Sequence, residues 1–344
     1  MFLLVLVSCS EAGTRSGRVD ALSGTKVDIG PEESIFQLVY ADDSLVIGST
    51  FSGGYALECF ERSDSVSRVP FLRVGRGPKE VNRALYRAKN DTIFALACSS
   101  YGISGCLSIP VKQFNDISSW SEIRFPEELK VNVSGGIDVN GSEALFCGGR
   151  WNEKEILSSL DLASGRISWT GLWPDDGQDE NALAKQSMYT RNASVFCFGE
   201  KIFYACGEGR YASIVDRSVT PCSETVIYDE YPVFSVSEDG LNPRRDPSSH
   251  IGVRAFATEG RIYLSPIISK LKGRVFIPDN FKGYPPDYND IVDVYDWDGK
   301  YIRTYRLDVP FGGFYVSPDD RRLYTLSVNM DDSFSEVYEY DLPS

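Results

Sequence analysis

The residues able to do chemistry here are few and badly spaced for it. His250 is the one histidine in 344 residues, so it is the sole imidazole base or ligand, which removes most zinc chemistry and most histidine-assisted nucleophilic catalysis. A serine hydrolase needs Gly-x-Ser-x-Gly, and Gly102-Ile-Ser104-Gly105 has the wrong spacing, so His250 is read as capping or packing a loop. Gly207-Glu-Gly209-Arg-Tyr-Ala212 fits a loose dinucleotide fingerprint. A Rossmann turn must open a helix, however, whereas Tyr-Ala-Ser-Ile-Val-Asp alternates like a strand. The run Val74-Gly-Arg-Gly-Pro-Lys-Glu80 could wrap an anion with its glycine amides and Arg76, or could be a tight loop between repeats; it lacks the Gly-Lys-Ser/Thr ending of a phosphate loop. The acids at 175–180 lack the alternate spacing of a calcium loop and read as a solvated turn. No metal site and no cofactor are expected.

The eight cysteines show no metal spacing. Cys98, Cys147, Cys197 and Cys206 fall within strand patterns as small apolar residues, and the odd number left beside Cys9 argues against a full disulfide framework, with a Cys98–Cys106 bridge possible because the two flank one hairpin loop. Forty-nine acids against 35 bases give a net charge of -14, which repels phosphate backbones and argues against nucleic acid as a partner.

The elements that would position any site come from a repeat. An apolar strand, a turn rich in Asp, Gly, Asn or Glu and a second apolar strand recur six times, with turn acids Asp43, Asp91, Glu143, Glu200, Glu259 and Asp320 spaced by 48 to 61 residues. A third strand follows each hairpin and a fourth follows in five of the six. The sixth repeat runs out of chain, and residues 25–29, an unassigned strand near the N-terminus, are expected to complete it. The predicted fold is all-β: a six-bladed β-propeller with four strands per blade, closed by an N-terminal strand and nearly free of helix.

At the N-terminus an apolar run over residues 2–7 is too short to span a bilayer and is followed by Leu6-Val7-Ser8-Cys9. This resembles a bacterial lipobox, in which Cys9 would be lipidated, although no Lys or Arg precedes the run as a complete signal's n-region requires. Residues 1–9 are thus read as a partial lipoprotein signal, 10–23 as a flexible tether and 24–344 as the propeller domain. The repeats, the lipobox and the run 74–80 together resemble the TolB-like six-bladed propeller lipoproteins of Gram-negative anaerobes, a family that often carries glycine where this chain has Lys79. The resemblance implies an exported, lipid-anchored protein of the cell envelope, expected to be a monomer that touches the membrane only through its lipid.

In such a propeller the fourth-to-first and second-to-third connections share one face, and the longest here, 173–192, 230–251 and 265–290, all fall on it. The last carries Lys270, Lys272, Arg274 and Lys282 and then the aromatic run around Tyr284. Residues just ahead of each innermost strand are expected to rim the funnel: Asn82, Arg83, Asn132, Arg191, Asn192, His250 and Phe311, with Arg76 and Tyr284 contributed by the surrounding loops. That set favours an anionic or hydroxyl-rich ligand, on a protein or a carbohydrate, bound without catalysis. The competing expectation is a propeller enzyme, a lyase or hydrolase acting on a polar substrate at the funnel mouth, with Glu80 and Arg191 or His250 as its groups.

Overall fold

The computed structural model describes residues 18–30, 34–50, 53–62, 66–99, 101–151, 153–178, 181–238, 243–245, 249–270, 288–328 and 334–343. Six antiparallel sheets are arranged as the blades of a propeller. Their innermost strands are Gln37–Ala41, Ala84–Lys89, Asn132–Asn140, Ser194–Phe198, Ser249–Ala257 and Gly313–Val316. The expected hairpins form with their turns in place: Asn90, Asp91, Gly141, Gly199 and Asp320 all adopt positive φ.

Closure follows the expected route. Thr25–Val27 pairs antiparallel with Ser335–Asp341, setting Thr25 opposite Glu339 and Val27 opposite Val337, and supplies the outer strand of blade 6. The segment expected as a tether also contains a strand. Val19–Leu22 runs parallel to Tyr301–Phe311 and adds a fifth strand to blade 5. One short stretch of chain therefore binds two adjacent blades by their edges, where unpaired amides would otherwise face water.

Apolar faces of neighbouring blades pack against each other around the ring, with Leu57, Phe60, Ile93, Leu107 and Val337 buried between blades 6, 1 and 2. At the second-to-third strand step of blade 2, Ile103 stands opposite Cys98 while Cys106 stands opposite Leu96. That register leaves Cys98 and Cys106 unpaired and free, so the bridge permitted by spacing does not form. The step Arg210–Asp216 after Gly207-Glu-Gly209 is a strand, as its alternation predicts.

The 173–192 connection departs most from expectation. It folds into a helix, Ala182–Thr190, whose N-cap Asn181 accepts a hydrogen bond from the amide of Ala184. The side chain of Asp176, expected in a solvated acidic turn, is fully buried: its carboxylate pairs with the equally buried ammonium of Lys185 at 2.5 Å and accepts from Tyr189 Oη at 2.8 Å. Lys185 also donates to the carbonyl of Pro174 and lies 4.8 Å over the Trp173 ring. The acid is buried because the helix carries its counter-charge, which a reading of 175–180 alone omits. No helix among the described residues is long and apolar enough to cross a membrane.

Candidate functional site: an axial funnel with a buried guanidinium floor

On the loop-rich face the six innermost strands enclose a funnel of about 520 Å³. Its wall comes from residues such as 36–39, 85–88, 134–137, 192–196, 253–256 and 312–314, within the inner strands or immediately ahead of them. Blades 3 to 5 approach by bare backbone. A Cβ on Gly135 would lie 2.4 Å from the carbonyl oxygen of Thr190, and one on Gly252 would lie 2.2 Å from that of Gly207, so neither position admits a side chain. The inner strands of blades 1 and 3 bulge at the funnel, between Leu38 and Tyr40 and between Val133 and Ile137.

Arg87 forms the floor. Its guanidinium is held between the rings of Phe196 and Phe256, 4.6 and 4.5 Å from their centroids. Nε donates to Asp138 Oδ1 at 3.1 Å and one terminal nitrogen donates to the carbonyl of Ala257 at 2.8 Å. The other terminal nitrogen is buried without a hydrogen-bond partner. Asp138 also takes the ammonium of Lys89 at 3.3 Å and the amide of Cys197 at 2.7 Å. Two cations thus share one carboxylate, and the cluster keeps a net positive charge in surroundings that strengthen it. The Cys197 thiol, 3.3 Å from Asp138, is pushed up to about 12 chiefly by burial, with the Asp138 charge adding to the shift, so it carries no thiolate.

Higher in the funnel Glu208 is answered by Arg245 at 3.1 Å and by Asn192 Nδ2 at 3.0 Å. Arg254 lies 5.7 Å from the Tyr288 ring. Among the described residues of the wall, three arginines face a single glutamate in a protein of net charge -14. Below the floor, on the hairpin-turn face, a separate cavity of about 370 Å³ is lined by Lys89, Asn140, Phe198 and Glu259. Among the described residues no three metal-ligating side chains converge.

Of the residues expected at the rim, Asn192 does line the funnel, held in the left-handed conformation at φ 54°. Asn132 turns away and donates to Gln186 Oε1 of the helix, and Arg191 is the exposed C-cap of that helix. Phe311 is fully buried and packs edge-on against Phe314, 5.6 Å away, leaving Gly312, Gly313 and Phe314 to line that wall. Arg76, Asn82 and Arg83 line a different cavity on the flank of blade 2. The backbone of His250 pairs with Ser269 in blade 5. Tyr284 and Cys9 lie outside the described residues. In blades 1, 4 and 6 residues just ahead of the inner strand, Phe36, Asn192 and Gly312, do line the funnel, whereas in blades 2, 3 and 5 the lining begins inside the strand, at Leu85, Ser134 and Val253, which is why the residues ahead of those strands fall elsewhere.

The loop 74–80 wraps its own side chain: Gly77 donates to Glu80 Oε2 at 2.8 Å, and a Cβ on Gly75 would meet that oxygen at 2.1 Å. Lys79, where the resembled family often has glycine, adopts φ 57°. Sequence reasoning missed Arg87, Arg245, Arg254 and Glu208. Arg87 and Lys89 did leave a signal, because they share one face of an otherwise apolar first strand and Asp138 interrupts another.

No family model matches the chain, and no curated protein matches it. Among solved structures it is similar to a member of the DUF4221 family from Bacteroides vulgatus, at 12% identity over 93% of this chain and 97% of that one, with a TM-score of 0.52. It is also similar to an oligogalacturonate lyase in complex with manganese, at 11% identity over 94% of this chain and 97% of that one, with a TM-score of 0.43. A third, a functionally unknown protein from Desulfotomaculum acetoxidans, shares 13% identity over 90% and 89% of the two chains, with a TM-score of 0.40. The likeness to the DUF4221 protein extends over both chains almost completely and shows the propeller fold.

Proposed function

We propose that this propeller is an envelope binding protein that takes an anionic ligand into its axial funnel without chemistry. The observation that carries the reading is the charge imbalance at the floor, where Arg87 and Lys89 share Asp138 and one guanidinium nitrogen of Arg87 has no partner. Low-dielectric walls focus that charge on whatever fills the funnel, while Glu208 is already paired with Arg245 and accepts a hydrogen bond from Asn192. The apolar ring walls and the scattered polar groups are those of a small-molecule site, and the rings on Arg87 fix its position before a ligand arrives.

The lipobox at Cys9 and the resemblance to TolB-like lipoproteins support placing the protein in the cell envelope on a lipid anchor. Cys9→Ser in the full-length precursor is expected to move the protein from the membrane to the soluble fraction; retention in the membrane contradicts the anchor.

The ligand reading is tested by thermal shift with paired probes, glucuronate against glucose and succinate against succinamide. The acid of a pair is expected to stabilise the parent and to lose about ten- to a hundred-fold in affinity on Arg254→Gln, the worth of one charged hydrogen bond. Equal stabilisation by acid and neutral partner, or an unchanged response in the variant, overturns the anionic assignment.

A further inference from the structure

Outside the funnel, two aromatic rings stand exposed on the shoulder between blades 2 and 3. Tyr101 is 70% exposed and Trp151 is 42% exposed, and their rings lie 6.4 Å apart, tilted by 34°. They come from equivalent second-to-third strand turns of adjacent blades, and both turns are pinned from below. The amide of Tyr101 donates to Ser99 Oγ at 2.9 Å, and that hydroxyl donates to Glu128 Oε1 at 2.6 Å. Beneath Trp151 the buried amide of Gln186 donates to the carbonyls of Arg150 at 2.9 Å and Glu155 at 2.8 Å. Arg150 is further held by Glu155 and lies 4.7 Å from the Trp169 ring. The two rings are therefore presented rigidly to solvent rather than folded onto the apolar core, an arrangement that suits a ligand with an apolar face.

Beside Tyr101 opens a cavity of about 470 Å³ on the flank of blade 2. Its lining mixes donors and acceptors, including Asn82, Ser104 and Glu128, and its charges balance: Arg76, Arg83 and Arg124 against Glu80, Glu122 and Glu128. A protein anchor would want an apolar pocket beside the rings, and an acidic ligand would want surplus cations. A balanced set of donors and acceptors matches hydroxyl groups, each of which both gives and takes hydrogen bonds.

We propose that this shoulder is a binding platform for a neutral glycan, with Tyr101 and Trp151 stacking on the apolar face of one pyranose and the flank cavity taking the hydroxyls of the next. The site is separate from the funnel and does not depend on what the funnel binds. A linear ligand running from ring pair to cavity would lie across blade 2, so affinity should rise from mono- to oligosaccharide as both parts engage.

The test titrates the full chain with neutral hexasaccharides of glucose, mannose and xylose in α and β linkages and with a galacturonate hexasaccharide, reading tryptophan emission and heat. At least one neutral probe is expected to bind, to quench or shift emission in the parent, and to lose tenfold or more in affinity on Tyr101→Ala at unchanged melting temperature. Trp151→Phe is expected to remove the optical signal while keeping part of the heat, since a smaller ring still stacks. Arg87→Met is expected to leave this binding untouched. Failure of every neutral probe, binding that Tyr101→Ala and Trp151→Phe leave intact, or a preference for the galacturonate probe overturns the proposal. Capture of a folded protein partner that the same two variants abolish, with no glycan bound, assigns the rings to a protein interface and overturns it equally.

Discussion

Two buried cations in this molecule have nearly the same first neighbours and opposite consequences. Lys185 sits against Trp173 and Tyr189, pairs with Asp176 and donates to the carbonyl of Pro174. Arg87 sits between Phe196 and Phe256, pairs with Asp138 and donates to the carbonyl of Ala257. The difference is the balance of charge and donors. Among the described residues Asp176 serves one cation, a tyrosine hydroxyl and the amide of Gln178, so its charge is matched, whereas Asp138 serves two cations and leaves one nitrogen of Arg87 without an acceptor. A cation in an aromatic cage is therefore a structural clasp when its charge is matched and a candidate anchor when it is not. Position agrees: Arg87 lines the funnel, and Lys185 ties down the connection between blades 3 and 4.

Breaking the matched cluster should have the largest effect, and on stability alone. Lys185→Met leaves the Asp176 carboxylate buried with only neutral donors, Tyr189 and the amide of Gln178, to answer it, and loss of one partner of such a pair costs about 3–5 kcal/mol, a large share of a typical total near 5–15 kcal/mol. Urea unfolding should show that loss while an acid that binds the parent still binds the variant. A stability change under 1 kcal/mol, or lost binding, would erase the contrast.

Arg87→Met should invert the pattern. Asp138 keeps Lys89 and the Cys197 amide, so the cost in stability is smaller, about 1–3 kcal/mol, but affinity for the acid should fall at least tenfold. Affinity of the parent should also weaken as salt rises, because the attraction is electrostatic. Parent-like affinity in Arg87→Met moves the anchor elsewhere.

The smallest effect is a thiol readout that follows each cluster separately. Cys197 adjoins Asp138, and Cys206 lies 3.8 Å from the carbonyl of Met188 beside the Lys185 helix; burial pushes both thiols up to about 12. Among the described cysteines Cys222 is the exposed one. In the folded parent a maleimide should modify Cys222 and spare Cys197 and Cys206. Arg87→Met should speed labelling at Cys197 and Lys185→Met at Cys206, each without the other. Crossed or joint responses would mean that the two clusters open as one unit.

The fold was legible from the sequence because its signal is repeated: six hairpins with turn acids at blade spacing, and a sixth blade short of one strand that residues 25–29 could supply. The site was less legible, and the reason is geometric. Asn132 and Phe311 stand just ahead of or at the ends of strands, where a rim was expected, yet one caps a helix contact and the other fills the core. The residues that do converge, Arg87, Asn192, Phe196, Arg254 and Phe256, come from four strands or turns separated by up to about half the chain, and their meeting depends on ring closure and strand register. Asp176 is misread for a similar reason, since its partner Lys185 lies nine residues further on, in the first turn of a helix within a connection without repeat periodicity.

The central claim, that the funnel attracts an anion, is tested most directly by soaking crystals in bromide and locating the ions by their anomalous scattering. The account predicts a leading bromide peak inside the funnel, between the Arg254 guanidinium and the Arg87 floor, and its loss in Arg87→Met crystals. Bromide spread over the outer surface of the parent, with none in the funnel, would contradict it.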